Sequence, residues 1–367
     1  MGAAAKGGKG GKFYQRDPRA MDRERTKRVA EHLFRDMAGA MSAGMVYLGV
    51  RSGLFRTLQG RGPLSAEEVA RRSGLQPRYV EEWLKGMACA GYLDYDPATQ
   101  AYALSDEHAY FLASEGSDHY AGGMFDMVPS LLRVAPQVLQ AFEKGGGVPF
   151  EAFGPECVEA LDLINRGLYE HRFTDQWLKA LPGVAARLEA GGRMLDVGCG
   201  SGRVCLAFAR AFPNAEIVGI DPSAESIGRA RAAAGGLRVR FEASTTAQLE
   251  RGAGFDFVTL CDCLHDLAEP AKTLREIRAL LKPDGTLLVI EPKAADRLED
   301  NKNPVATMFY GFSIFHCMTQ SLAAGGPGLG TCMGPATARK LLEEAGFRDF
   351  RILDIRSQVN LFYAVRP

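Results

Sequence analysis

LDVGCGSGR, residues 195–203, sets Gly198, Gly200 and Gly202 at alternate positions, directly after the apolar run MLDV and directly before the helical stretch RVCLAFARAF. Glycine carries no Cβ, so such a loop lets backbone approach a ligand closely. Strand, glycine loop and helix in that order predict the first unit of a doubly wound parallel sheet, in which ligands bind at the carboxyl ends of the strands. The spacing is G-x-G-x-G. A dinucleotide fingerprint, G-x-G-x-x-G, would need its last glycine where Arg203 stands, which argues against a nicotinamide dinucleotide. The next apolar run, EIVGID, ends on Asp221, about 20 residues past the loop, where an acid can accept both hydroxyls of an adenosine ribose. Asp196, inside the first strand, is a second acid beside the loop and suits a cationic group on the ligand.

From Gly191 onward the chain keeps alternating. The runs MLDV, EIVGID, VRFE, FDFVTLC, GTLLVIE, FRILDI and LFYAV read as seven strands, with helical stretches between the first five and a hairpin joining the last two. The fold class expected is α/β, a doubly wound, mostly parallel seven-stranded sheet. Ahead of it the pattern is helical. MDRERTKRVAEHLFRDMAGAMSAGMVYLGVRSGLFRTL places apolar residues at helical spacing, Ser65 and Glu68 form a capping-box pair, QPRYVEEWLKGMACAGYL is a further helix, and LDYDPATQAYALS is a hairpin turning at Asp96-Pro97. Helix, turn, helix and hairpin make a winged helix. The organisation expected is a flexible Gly/Lys tail over 1–15, a helical winged-helix domain over 16–148, linker helices over 149–190, and a ligand-binding α/β domain over 191–367 with an insertion at 294–333 that looks like a substrate lid.

The 367 residues carry 44 acids and 44 Lys or Arg, so no bulk charge draws the chain to nucleic acid or to a membrane surface. No apolar run approaches the roughly 20 residues of a membrane helix, and MGAAAKGGKGGK has no apolar core of a signal peptide. The eight cysteines are scattered; Cys261 and Cys263 lie close together, but no second pair completes a zinc pattern. A cytoplasmic protein with reduced thiols and no metal is the expectation.

LDVGCGSGR, VGID, FDFVTLCDCLHDLAEP and LKPDGTLLVIEP together resemble the class I S-adenosylmethionine-dependent methyltransferases, densely over 191–293. VYLGVRSGLFRTL, RYVEEWLKGMACAGYL, LYEHRFTDQWL, RLEDNKNP and LLEEAGF are similar to the bacterial winged-helix branch, some of whose members carry transcriptional-regulator labels. The architecture is also similar to plant-type small-molecule O-methyltransferases, in which the N-terminal domain dimerises and helps close the substrate pocket. The resemblance implies S-adenosylmethionine as cofactor, with Asp196, Gly198, Gly200 and Gly202 at its methionine end, Asp221 on the ribose, Pro222 against the adenine, Ala243 and Ser244 at the adenine edge, and Cys261 beneath it. Many relatives hold an acid at the place of Ser244, so here a hydroxyl must replace a carboxylate.

For the acceptor, the HD pair of CLHDLAEP puts His265 where plant-type enzymes keep a general base, and Glu291 of VIEP where they keep the acid that orients it. Their second acid falls among Cys332, Met333, Gly334 and Pro335, none of which is a carboxylate. A histidine in this motif also serves as packing at a helix start, and the sequence leaves both readings open. An imidazole of ordinary pKa would give a rate rising around pH 6–7. Tyr169, His171 and Arg172 are in the segment that reaches the pocket in the winged-helix branch, or else on an ordinary helix face. Met308, Phe309, Tyr310, Phe312, Phe315 and His316 are either pocket lining or lid core. The implied partners are a small-molecule methyl acceptor and a second copy of the chain, with the apolar helix over 37–55 as the dimer contact. The competing class is a winged-helix regulator or sensor that binds S-adenosylmethionine. Against DNA binding, Arg78 and Lys85 on the candidate recognition helix are offset by Glu81 and Glu82, and the wing carries Asp94 and Asp96 and no base.

Overall fold

The computed structural model describes residues 21–250 and 254–367; the tail expected over 1–15 lies outside them. The N-terminal half begins with α1 (Arg23–Arg51), which ends where Gly53 takes a left-handed conformation, and then α2 (Leu54–Leu58). The capping box forms as expected: Ser65 Oγ accepts from Glu68 N and the Glu68 carboxylate accepts from Ser65 N, opening α3 (Ala66–Ser73). α4 (Pro77–Cys89) follows, then a wing of β1 (Asp94–Asp96) paired antiparallel with β2 (Ala101–Ala103). α4 docks on α1 through Trp83, whose indole N–H donates to Met45 O at 2.8 Å and whose ring meets Phe55 edge-on.

Helices α5 (Asp106–Leu112), α6 (Gly122–Arg133), α7 (Ala135–Lys144) and α8 (Pro155–Leu168) lead to the second half. The glycine-rich stretch between α7 and α8 is not a free tether. Val148 N donates to the backbone and the hydroxyl of Thr319, and Val148 and Phe153 are fully buried. A π-helical turn, Tyr169–Phe173, and α9 (Pro182–Glu189) follow.

The sheet then alternates with helices: β3 (Arg193–Val197), α10 (Arg203–Ala211), β4 (Glu216–Asp221), α11 (Ala224–Ala234), β5 (Val239–Ala243), β6 (Phe255–Cys261), α12 (Pro270–Leu280) and β7 (Leu281–Pro292). The inserted segment holds α13 (Pro304–Phe312), a π-helical turn over Ser313–Cys317, and α14 (Met318–Ala323). α15 (Gly334–Glu344), β8 (Arg348–Ile352) and β9 (Asn360–Arg366) close the chain. The seven strands lie in the order β5-β4-β3-β6-β7-β9-β8, parallel except for β9, which runs antiparallel to both neighbours; the expected terminal hairpin is β8–β9. Met194, Leu195, Val218, Val258 and Leu287 are fully excluded from solvent, as central parallel strands covered by helices on both faces require. β3 and β6 are neighbours although four elements separate them in sequence, so the strand order reverses between them and opens a crevice at their carboxyl ends.

Candidate functional site

The crevice at the β3/β6 switch continues into one cavity of about 1800 Å³ running between the sheet, α6, α8 and the inserted helices. That exceeds the roughly 300–1,000 Å³ of a pocket for a single drug-sized ligand.

One end is made by the glycine loop. Gly198, Gly200 and Gly202 all have left-handed φ values of 69°, 52° and 80°. A Cβ on Gly202 would collide with the Phe241 ring, so that glycine serves packing and caps α10. A Cβ on Gly200 would enter open space, so the bare backbone there faces the cavity. The Asp221 carboxylate accepts from Gly200 N at 3.0 Å and from Ser223 N at 2.8 Å, one N–H on each oxygen. Each oxygen keeps acceptor capacity for a hydroxyl in the cavity. Burial pushes Asp221 above the ordinary carboxylate range, against the two N–H donors that pull it down. Asp196 is pushed further, to about 7, by burial; its oxygens accept from Thr259 Oγ1 at 2.6 Å and from the Cys205 thiol. Pro222, Ser244 and Cys261 also line this end, whereas Ala243 and Gly202 do not.

Beside the glycine loop, where Cys263 Sγ meets Val197 O at 3.4 Å, the chain enters a short 3-10 turn, Leu264–Asp266, that holds His265 in the cavity wall. Glu291, buried at the end of β7, binds this turn twice: Oε1 accepts from Leu264 N at 3.0 Å and Oε2 lies 2.5 Å from His265 Nδ1. On the far side of the ring, Asp266 Oδ1 stands 3.3 Å from Nε2 without the alignment of a hydrogen bond. Burial alone would push the imidazole down, but Glu291 and then Asp266 outweigh it and hold His265 well above its usual 6.5. The pH 6–7 midpoint expected for an unperturbed ring is thereby corrected upward. The place at 332–335 holds no carboxylate, yet the ring has a second acid in its own neighbour.

Of the other expected contacts, Tyr169, Arg172 and Phe309 line the cavity, as do Met308, Phe312 and His316; His171, Tyr310 and Phe315 do not. His171 is exposed and its Nε2 meets Gly116 O, while Arg172 is tied to Asp118 at 2.8 Å. Tyr169 donates to Asp262 Oδ2 at 2.6 Å. Asp262 was not foreseen. It adopts a left-handed φ of 49° directly after β6, takes Asn360 Nδ2 on its other oxygen, and is raised to about 6 by burial. Its position at the carboxyl end of a central strand was the available signal. His316 is buried between Phe150 and Phe153, its Nε2 has no partner among the described residues, and burial lowers it to about 4, so it is neutral. Also unforeseen is the link between halves: Arg203 makes two bonds to Asp162 and one to Glu170, while Arg166 bridges Asp162 to Glu115.

The profile of a methyltransferase domain matches residues 168–350, and that of an Rv2258c-like winged HTH domain matches residues 40–114. A ubiquinone biosynthesis O-methyltransferase of Bradyrhizobium sp. (strain ORS 278) is 33% identical over 102 residues, 27% of this chain, and the chain spans only 40% of that relative's length. Two solved structures share the fold over nearly their whole length. Mitomycin 7-O-methyltransferase superposes with a TM-score of 0.66 at 20% identity, covering 94% of this chain and 100% of the other. Human N-acetylserotonin methyltransferase, solved in complex with S-adenosylmethionine, gives 0.64 at 22%, covering 95% and 98%.

Proposed function

Since this chain joins a methyltransferase domain to an N-terminal winged-helix domain, we propose that it uses S-adenosylmethionine to methylate an oxygen of a small, largely apolar acceptor. The residues present fit the cofactor. The open space over Gly200 admits it, the Asp221 oxygens each retain acceptor capacity for a ribose hydroxyl, and Asp196 offers a buried acid to a cationic ligand. Pro222, Ser244 and Cys261 complete the wall. When bound, S-adenosylmethionine supplies an electrophilic methyl group.

The cavity has room beyond the cofactor, and its remainder is walled by Phe150, Val158, Ile164, Met308, Phe309 and Phe312. These place an apolar acceptor. His316, neutral and with its Nε2 unpartnered among the described residues, offers one hydrogen bond to it. The observation that carries the reading is the His265–Glu291 contact. With Nδ1 held by Glu291, Nε2, which stands 3.3 Å from Asp266 Oδ1, is the nitrogen left to take the acceptor hydroxyl's proton while Glu291 stabilises the imidazolium. The test is incubation of the enzyme with methyl-labelled S-adenosylmethionine and matched panels of phenols, thiols and amines, followed by mass spectrometry. Transfer to phenols that His265→Ala abolishes supports the reading; transfer to amines alone overturns it.

The second copy belongs to the same proposal. Val29, Leu33, Met37, Met41 and Leu48 form a stripe along α1 and are more than half exposed, with Phe34 beside them. A helix with an uncovered apolar stripe is stabilised by pairing across a two-fold axis. The regulator reading is less well supported: on α4, Arg78 pairs with Glu82 and Lys85 with Glu81, each at 2.5 Å, so the helix offers phosphates no free cation there. No described helix is long and apolar enough to cross a membrane, and eight free cysteines suit the reducing cytoplasm.

A further inference from the structure

Beside His265 the fold assembles a set of donors that the sequence keeps far apart. Cys317 arrives from the π-helical turn of the inserted segment, and one donor atom each from His265, Asp266 and Cys317 lie within 4.8 Å of one another. His265 and Cys317 are buried and all three line the cavity. Asp266 Oδ1, which belongs to the set, has no aligned hydrogen-bond partner among the described residues, and the Cys317 thiol also contacts Thr331 in the cavity wall. Buried polar atoms are nearly always paired, so an orphaned carboxylate oxygen among these donors marks a spot that a further group completes.

We propose that His265 Nε2, the Asp266 carboxylate and Cys317 Sγ form a binding site for a borderline-soft divalent cation of the zinc type. The donor set is nitrogen, oxygen and sulfur, which suits zinc and disfavours magnesium or calcium, whose ligands are oxygens. Bonds of about 2.0–2.3 Å in a tetrahedron put ligand atoms about 3.5 Å apart, so side-chain movements of about 1 Å close the set. The histidine is already prepared. A metal-binding imidazole gives its other ring N–H to a carboxylate, and Glu291 takes that place on Nδ1, leaving Nε2 as the ligand. Three protein ligands leave the fourth position to the cavity, where a water or an acceptor oxygen completes the shell. A cation here occupies the lone pair that the proposed base needs, so it opposes proton removal by His265; in that respect the inference rests on the function proposed above. Only His265 and Asp266 of the three are neighbours in sequence, so no ligand spacing marks the site.

The test is calorimetric titration of zinc chloride into the chelator-treated full-length protein, with neither methyl donor nor acceptor present. One site with a dissociation constant of about 1 µM or below is expected. Cobalt(II) added in place of zinc should give a sulfur-to-cobalt charge-transfer band, lost in Cys317→Ser, and Asp266→Asn should weaken zinc by roughly tenfold or more. Cys89→Ser, on an exposed cysteine, should change neither. Near-ultraviolet circular dichroism confirms that each variant is folded; should Cys317→Ser fail that check, Asp266→Asn and the wild-type cobalt spectrum decide. No saturable site below about 100 µM, or a cobalt–sulfur band that survives in folded Cys317→Ser, overturns the site. Because binding is read without turnover, failure of the cation site and failure of the base assignment register in separate experiments.

Discussion

His265 Nδ1 and Glu291 Oε2 lie 2.5 Å apart with both side chains buried, and the same carboxylate accepts from Leu264 N. Glu291 therefore sets the position of the turn, the tautomer of the ring and the stability of its charged form together. His265→Ala should lower kcat by 10²–10⁴-fold, about 3–5 kcal/mol, with S-adenosylmethionine affinity nearly unchanged. Glu291→Gln should act in the same direction and less. The measurement is single-turnover rate per folded molecule; a loss below about tenfold in His265→Ala shows that the ring is packing and not the base.

The pH dependence of the chelator-treated enzyme follows from the same contacts. Only neutral imidazole accepts a proton, and Glu291 and Asp266 hold the ring's pKa well above 6.5. The limb of kcat/KM should therefore rise with pH through a midpoint above 6.5. Asp266→Asn removes one of the charges that favour imidazolium, so its midpoint should move down. An unchanged midpoint in that variant would mean that another group governs the limb.

The parallel sheet, its glycine loop, the wing and the Ser65 capping box were all legible in the sequence because each is a local pattern: an apolar run, a glycine spacing, a cap three residues from its partner. Asp221 and the His265–Glu291 pair were legible through motif position. What escaped was set by tertiary approach. Cys317 reaches His265 only because the inserted helices fold back over the cavity. Asp262 gains its role from Tyr169 and Asn360, both distant in the chain. His171 and Tyr310 sit on helical turns whose facing direction a 3.6-residue period leaves undecided where a π turn intervenes or adjoins.

The α1 stripe makes a prediction about assembly. Light scattering at micromolar protein should give about twice the chain mass. Placing a charge at its centre, as Leu33→Glu with Met37→Glu, should shift the mass to that of one chain while the catalytic half keeps its fold. A wild-type protein that scatters as a single chain removes the dimer.

Asp162 lies between Arg203 and Arg166 with its side chain almost fully buried, and joins α8 to α10. Burial alone would raise its carboxyl, but the two guanidiniums outweigh it and hold it below the ordinary range. Its contribution to stability is therefore present above the unfolded pKa and is lost as pH falls through the folded one. Asp162→Asn should cost about 3 kcal/mol, since two cations lose their shared partner, read as the loss of denaturant midpoint at pH 7. The variant and the wild type should converge in acid; a cost that persists unchanged at pH 3 would mean that shape and not charge carries the effect.

Asp196 links protonation to cofactor binding. Burial raises its carboxyl to about 7, so in the free protein it is half protonated near neutrality. S-adenosylmethionine carries positive charge, and a cation beside the carboxyl favours its ionised form. Affinity should therefore rise as pH climbs through about 7 and level off above it; on the acid side it should fall by up to about tenfold per pH unit. Binding at neutral pH should release a fraction of a proton, visible as a calorimetric heat that changes with the ionisation enthalpy of the buffer. Asp196→Asn keeps the shape and can still receive the Thr259 hydroxyl, but it cannot ionise. Its affinity should stay near the wild type's acid-side level and lose the slope. The demethylated product separates two sources of charge, because it lacks the sulfonium and keeps the amino group. A slope shared by donor and product places the ammonium near Asp196, and a slope seen with the donor alone places the sulfonium there. Flat affinity for both ligands between pH 6 and 8 would show that Asp196 keeps its proton and serves only the Thr259 bond.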